Sequence, residues 1–157
     1  FQTITNCNSQ KITHLSVGGD YLETLPDLSK FTNLYDLYIT NGKNIKDFSV
    51  ISNISSLKRL NLPNCNLHGK MIDFSKLINL NYINLTGNTL WTEDLQSLTP
   101  LKNVQNLTID LRNNSIIDAT ILLQFDNITK IYLSGNVNLS QDSKEKLSAK
   151  FGNNITF

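Results

Sequence analysis

The sequence predicts an α/β solenoid, with short parallel strands stacked on one side and helical or 3₁₀ turns on the other. The first observation behind this prediction is the phrase Leu-x-x-Leu-x-Leu-x-x-Asn/Cys-x-Leu, whose copies begin 22 to 24 residues apart. The second is composition, because Leu and Ile supply 40 of the 157 residues without an apolar run that approaches a membrane span. A repeat of this period indicates one elongated domain whose copies bury a shared core.

Each copy is expected to contain a strand, a turn and an outer return segment. The copies begin at Ile12, Leu34, Leu57, Leu80, Val104 and Ile128. Within a copy, the Leu-x-Leu alternation predicts a strand with one buried face. The Asn that follows, as at Asn88 and Asn136, predicts a turn whose backbone groups bond to the side-chain amide. Cys65 takes that place in the third copy, where its thiol would play a weaker version of the role.

The fifth copy departs from this spacing. Val104 and Ile109 match its apolar positions, and the phrase regains phase at Asn114 only after two extra residues. This spacing places residues 110–112 beyond the strand. Leu111 is therefore predicted to protrude there as a recognition knob at the exit edge of the strands.

Both open ends of such a stack need a cover. We expect an N-terminal cap over residues 1–11, six repeats over 12–139, and a capping helix with the start of a seventh strand over 140–157. Ser140 is expected to cap the helix, Leu147 and Phe151 to share its buried face, and Gly152 to end it. Residues 155–157 match the inward positions of a further strand, and we expect the natural chain to continue beyond them.

Charge and cysteine content argue against several classes of protein. Fourteen Lys and Arg stand against thirteen Asp and Glu, which leaves a formal charge of +1 and no general basic surface for nucleic acid. Two cysteines cannot form the disulfide framework of a small secreted domain. We therefore expect no nucleic-acid partner. The lack of a long apolar run predicts no membrane insertion, and we also expect a monomeric chain.

The sequence offers no recognisable catalytic or metal-binding constellation. His14 and His68 are the only histidines and lie more than two repeats apart, so we interpret both as surface side chains. Cys7 and Cys65 are interpreted as free buried thiols. A nucleophilic thiol needs a neighbouring histidine, and stacking of the copies places none beside Cys65. We expect no enzyme activity, no cofactor and no metal, while an enzyme with an unrecognised site stays open as an alternative.

The outward positions of the strands carry the residues that we predict to bind a partner. Four of the five tyrosines, together with an arginine and a histidine, fall on this one surface. The predicted partner-binding residues are His14, Tyr35, Asp36, Tyr38, Arg59, Tyr82 and Tyr132. Tyr and Arg are enriched among interface hot spots, although Tyr also simply suits strands. Trp91 lies off this surface, either as core packing or as an exposed secondary contact.

Residues 44–57, Asn-Ile-Lys-Asp-Phe-Ser-Val-Ile-Ser-Asn-Ile-Ser-Ser-Leu, resemble the leucine-rich repeats of internalin-like bacterial surface proteins and of certain cytosolic regulators. Residues 67–71, Leu-His-Gly-Lys-Met, are similar to the longer plant-type turn. The resemblance implies a leucine-rich repeat horseshoe with a parallel β-sheet on its concave face. It also implies a non-enzymatic scaffold that holds a protein partner on that face.

The expected function is therefore protein binding, as the ligand-binding or adhesion part of a bacterial surface or secreted protein. Two Arg against twelve Lys, with 22 Asn and 16 Ile, are typical of an AT-rich bacterial genome. An extracellular or cell-surface location follows from this interpretation. The alternative is a cytosolic regulator, or one injected into a host cell, that docks on a partner enzyme by the same face.

Overall fold

The backbone forms one sheet of seven short strands, in a computed structural model that describes residues 9–157. The strands are β1 (His14–Gly18), β2 (Asp36–Thr40), β3 (Arg59–Asn61), β4 (Tyr82–Asn84), β5 (Leu107–Asp110), β6 (Ile128–Tyr132) and β7 (Ile155–Thr156). Every strand pairs in parallel with its neighbour in sequence. Each copy therefore crosses over once on the outer side before it adds the next strand.

The inner face of the sheet is a continuous row of aliphatic side chains. In the strand register, Leu37, Leu60, Ile83, Ile109 and Ile131 lie side by side from β2 to β6. All of these side chains are fully buried. Burial of each contributes about 1.5–3 kcal/mol, and it depends on the neighbouring copies because no single copy can cover its own face. The predicted fold class is confirmed: the chain is a solenoid with one parallel sheet on one side and short 3₁₀ helices on the other.

The outer side consists of short 3₁₀ helices and irregular turns, as the sequence predicted. The 3₁₀ helices are Ser9–Lys11, Ser49–Asn53, Glu93–Leu101, Thr120–Gln124 and Gly152–Asn154. Two of the outer segments begin alike, because Asp47 and Asp73 each accept the backbone N–H of the serine two residues later, at 2.7 and 2.9 Å. Phe48 and Phe74 follow these aspartates directly and are fully buried. Each turn thus fixes the direction in which an aromatic ring enters the core.

A buried ladder of hydrogen bonds joins the turns that follow the strands. Asn88 Oδ1 accepts the backbone N–H of Cys65 at 2.7 Å. Asn114 Oδ1 accepts that of Asn88 at 2.9 Å, and Asn136 Oδ1 accepts that of Ile116 at 3.1 Å. These amides satisfy backbone groups that no strand partner reaches, as the sequence predicted for this position.

The residue before each ladder position adopts a left-handed backbone. These residues are Asn64, Gly87, Asn113 and Gly135, with φ between 55° and 81°. Asn and Gly tolerate this conformation best. At Gly87 a Cβ would also meet Asn64 Oδ1 of the preceding copy, so a larger residue there would force the Asn64 side chain to move.

The C-terminal end is covered by a helix, α1 (Gln141–Phe151). Ser140 caps it by accepting the backbone N–H of Ser143 at 3.2 Å, and Gly152 ends it with φ of 52°. Leu147 is fully buried, and Phe151 packs against the same core. The predicted capping helix is therefore confirmed.

The fifth copy contradicts its predicted spacing. Ile83 pairs with Ile109, 26 residues later, and Ile109 with Ile131, 22 residues later. The extra residues lie before β5, where the register shifts between Leu107 and Thr108. Leu111 does not protrude, because it is fully buried in the core.

The turn of the fifth copy supplies the physical reason for this correction. Asn114 must reach the backbone N–H groups of Asn88 and Leu90, at 2.9 and 3.0 Å. This contact fixes the spacing between the turn and the strand before it. Leu111 therefore takes the position that Leu85 has in the preceding copy. The chain takes up its extra length ahead of the strand, where Asn106 turns with φ of 57°. Cys7 lies outside the described residues, and so do residues 1–8 of the predicted N-terminal cap.

Candidate functional site

The solvent side of the sheet, called the strand face here, carries two rows of side chains set by the register. The first row, from β1 to β6, is His14, Asp36, Arg59, Tyr82, Thr108 and Lys130. The second row is Ser16, Tyr38, Asn61, Asn84, Asp110 and Tyr132. Six of the seven predicted partner-binding residues occupy these rows. Tyr35, the seventh, lies just before β2 and meets the His14 ring edge to face at 4.5 Å.

Arg59 is held in the middle of the strand face by two neighbours. Its Nε lies 3.5 Å from Asp36 Oδ2, which confirms that the two are adjacent. Its guanidinium carbon lies 4.5 Å from the centre of the Tyr82 ring. The side chain of Arg59 is 48% exposed, so the ion pair contributes at most about 1 kcal/mol. Arg59 is therefore oriented by its neighbours and still open to a ligand.

A second arginine, Arg112, extends this arrangement, and sequence reasoning did not identify it as a binding residue. Arg112 Nε and one terminal nitrogen contact both carboxylate oxygens of Asp110, at 2.9 and 2.6 Å. Asp110 is only 1% exposed, whereas Arg112 is 48% exposed. The guanidinium carbon lies 5.3 Å from the centre of the Tyr132 ring. One feature of the sequence could have identified this pair. The spacing back from the turn residue Asn114 places Asp110 in β5.

Tyr82 lies between these two arginines, and its environment keeps the phenol neutral. Burial raises the pKa of Tyr82, and the negative charge of Asp110 raises it further. Arg59 and Arg112 act in the opposite direction but are outweighed. Tyr82 is therefore protonated at neutral pH and offers a hydroxyl that can donate a hydrogen bond.

The structure brings some predicted residues together and separates others. His14, Asp36, Arg59 and Tyr82 are consecutive in one row. Tyr38 is 38% exposed in the second row. Tyr132 lies four strands beyond it, about 19 Å away at the usual strand spacing. Tyr132 therefore belongs with Arg112 at the far end of the strand face.

Trp91 is half exposed and lies off the strand face, which decides between its two predicted placements. Its ring stacks on that of His68, with the centres 4.6 Å apart. His68 Nδ1 lies 2.7 Å from Asp94 Oδ2. Burial raises the pKa of Asp94, but hydrogen bonds from His68 and from backbone N–H groups outweigh burial and lower it. His68 is thus a partly exposed side chain, as predicted, with an aromatic and an acidic partner that the sequence did not reveal.

Candidates for chemistry are few in the part of the chain that the structure describes. Cys65 is a free, fully buried thiol, as predicted, and burial raises its pKa to about 11. Its Sγ lies 3.4 Å from the Ile39 carbonyl oxygen. Among residues 9–157, no group of three or more His, Cys, Asp or Glu side chains is arranged to hold a metal ion. Within the same residues, no helix is both long and apolar enough to span a membrane.

Comparison with known proteins finds leucine-rich repeat proteins among the relatives of this chain. The chain is 31% identical over 99 residues to Leucine-rich repeat and WD repeat-containing protein 1 of Xenopus laevis, a match that covers 61% of this chain and 13% of that protein. The Xenopus tropicalis protein of the same name is 31% identical over 97 residues, covering 60% of this chain and 14% of that protein. The chain thus spans about one eighth of the length of these relatives. No profile of a known protein family matches it.

Two solved structures are also similar. A leucine-rich repeat protein from Leptospira interrogans aligns with a TM-score of 0.48 and 18% identity, over 94% of this chain and 49% of that chain. An internalin from Listeria monocytogenes aligns with a TM-score of 0.43 and 23% identity, over 81% of this chain and 49% of that chain.

Proposed function

We propose that this leucine-rich repeat solenoid is a non-catalytic binding module that holds a protein partner on its concave strand face. The observation that carries the proposal is the series of paired side chains from Asp36 to Tyr132. In it, Arg59 lies over Tyr82 and Arg112 lies over Tyr132. Arg59 also pairs with Asp36 of its own row, and Arg112, which follows β5, pairs with Asp110 at the end of that strand.

The arginine and tyrosine side chains of the strand face are oriented before a partner binds. A free arginine or tyrosine loses rotamer freedom when a partner fixes it, and that loss weakens the complex. Here Asp110 fixes the Arg112 fork with two hydrogen bonds, and the tyrosine rings support both guanidinium groups. Tyr and Arg held in this way are the residue types that dominate interface energetics.

We further propose that the module works as a monomer at a bacterial cell surface or in secreted form, as part of a ligand-binding or adhesion protein. Composition supports this location, with two Arg against twelve Lys and 22 Asn. The alternative is a regulator inside a cell that docks on a partner enzyme by the same face. Protease accessibility on intact source cells separates the two, because only a surface-exposed module is cleaved. Light scattering tests the monomer, which has a mass of 17.7 kDa.

The binding proposal is tested by parallel affinity capture with wild-type chain and with a Tyr38→Ala, Tyr82→Ala double variant. A specific partner is expected on the wild type and is expected to be depleted on the double variant. Lys76→Ala is the matched control, since its exposed Nζ contacts Asn53 on the outer side. Equal recovery of the same partner on all three proteins would contradict the proposal.

A further inference from the structure

A second surface lies along the edge where the chain leaves the strands. His68, Trp91 and Ile117 occupy the same position in successive copies, each directly after a fully buried Leu or Ile. We call these three residues the exit-edge platform. Their exposed fractions are 38% for the His68 side chain, 50% for Trp91 and 57% for Ile117. This is a continuous aromatic and aliphatic strip outside the strand face.

Trp91 is fixed in this strip by Asp94. Asp94 Oδ2 accepts the backbone N–H of Trp91 at 2.8 Å and also pairs with His68 Nδ1. Asp94 Oδ1 accepts the backbone N–H of Gly69 at 3.0 Å. The His68 ring covers one face of the indole, at an angle of 23° between the ring planes. An exposed tryptophan with a fixed backbone and a ring stacked on one face loses less freedom when a ligand binds than an unsupported one.

The neighbouring copies are locked together beneath the platform. The Thr92 hydroxyl accepts the backbone N–H groups of Ile117 and Asp118, at 3.2 and 3.0 Å. The backbone N–H of Ser115 bonds to the Leu90 carbonyl oxygen at 2.9 Å. The spacing between Trp91 and Ile117 is therefore set by the fold rather than by side-chain rotamers.

A groove of about 540 Å³ lies against Trp91 and Ile117. Its other lining residues are Thr92, Glu93, Ser115, Asp118 and Asn138. Two carboxylates thus border an apolar floor, and none of the lining residues is Lys or Arg. Asp118 is ionised at neutral pH, as a carboxyl ordinarily is, and the backbone N–H of Thr120 and the Ser143 hydroxyl lower its pKa further. Lys146, whose charge acts on Asp118, is itself paired with Asp142 at 2.8 Å.

We propose that this groove docks an extended, arginine-containing segment of a protein partner. The arginine stem lies along Trp91 and Ile117, and the guanidinium faces the carboxylates of Glu93 and Asp118. The charge complementarity of the groove selects this occupant, because carboxylates beside an indole favour a planar cation that can stack and form forked hydrogen bonds. The site is separate from the strand face, so it stands or falls independently of the proposed function.

Trp91 is the only tryptophan in the chain, so its fluorescence reports on the groove directly. The probe is the capped pentapeptide Leu-Arg-Leu-Arg-Leu, compared with the same peptide carrying Gln in place of both Arg. We expect the arginine peptide to change the emission saturably and the glutamine peptide to bind at least 10-fold more weakly. Equal binding of both peptides, or no saturable change with the arginine peptide, would overturn the proposal.

Variants locate the binding. Ile117→Ser and Glu93→Gln are each expected to weaken the arginine peptide at least 5-fold without changing the melting temperature. Ile78→Ser is the matched control, since Ile78 is another exposed isoleucine, 63% exposed, that lines a different groove. Tyr38→Ala controls for the strand face. Full affinity in both groove variants would overturn the proposal. A change in emission with protein concentration alone, without peptide, would also overturn it, because the groove would then bind a second copy of the chain.

Discussion

Asn114→Ala removes the side chain that makes the most hydrogen bonds to backbone groups in the buried ladder. Asn114 Oδ1 accepts two backbone N–H groups, those of Asn88 and Leu90. Its Nδ2 donates to the carbonyl oxygens of Leu85 and Leu111, at 3.0 and 2.9 Å. A buried N–H left without a partner costs about 1–3 kcal/mol. With two such groups left without a partner by the change, we expect a loss of about 2–6 kcal/mol in the free energy of unfolding.

The other two ladder asparagines, Asn88 and Asn136, allow the loss of stability to be compared within the same chain. The Oδ1 atoms of Asn88 and Asn136 each accept one backbone N–H, so Asn88→Ala and Asn136→Ala should each cost about 1–3 kcal/mol. Asn79→Ala is the matched control, because the Asn79 amide also bridges two copies, at 2.9 Å to the Ser55 carbonyl oxygen, but does so in solvent. We expect the control to lie within about 0.5 kcal/mol of wild type. Equilibrium unfolding in urea, followed by circular dichroism, measures all four. The reasoning is refuted if Asn114→Ala is no more destabilised than Asn79→Ala.

Three further predictions concern the turns and the core. Gly87→Ala should cost more than about 1 kcal/mol in urea melts, because Gly87 has φ of 68° and a Cβ would meet the preceding copy. The hydrogen bond from the backbone N–H of Ser75 lowers the pKa of Asp73 in the folded chain. Ionised Asp73 therefore stabilises the fold above its unfolded pKa, and this stabilisation is lost below about pH 4, as pH falls through the folded pKa. Cys65 should resist iodoacetamide at pH 8 in the folded chain and react on unfolding, since it is buried with a pKa of about 11.

Each of these predictions has a control within the chain. Gly18→Ala should be mild, because a Cβ at Gly18 meets no atom nearer than 3.8 Å. Asp73→Asn should lose part of the acid-dependent fall in urea melts between pH 6 and pH 2.5, and an unchanged fall would contradict the assignment. The alkylation of Cys65 is measured by mass spectrometry in a Cys7→Ser background, and rapid modification of the folded chain would show that the thiol is accessible.

The repeat period was enough to predict the parallel strands, the outer 3₁₀ turns and the Asn ladder, and the cap and i,i+4 signals at Ser140, Leu147 and Phe151 predicted the C-terminal helix. It failed in the fifth copy because two overlapping patterns were available there. Val104 and Ile109 fit one pattern, while Ile109, Leu111 and Asn114 fit the other, and both place apolar residues inside. The buried amide decides between them, since a misplaced asparagine leaves backbone groups without partners whereas a shifted aliphatic residue can still find the core.

The candidate binding residues show a similar limit. The alternation of side chains along a strand is enough to place Tyr38, Arg59 and Tyr82 on one face. It could not show that Arg112 turns back onto Asp110, because that contact depends on the bend after β5. It could not join His68 to Asp94 either, since they lie 26 residues apart and meet only when copies stack.

Affinity measurements on variants of the strand face decide whether a protein partner binds there. With the captured partner in hand, calorimetry compares wild type with the Tyr38→Ala, Tyr82→Ala double variant and with Lys76→Ala. Because truncation of a hot-spot residue typically costs at least about 2 kcal/mol, we predict that the double variant binds about 30-fold or more weakly. Both variants should keep wild-type unfolding curves. Unchanged affinity in the double variant would show that the partner binds elsewhere on the solenoid.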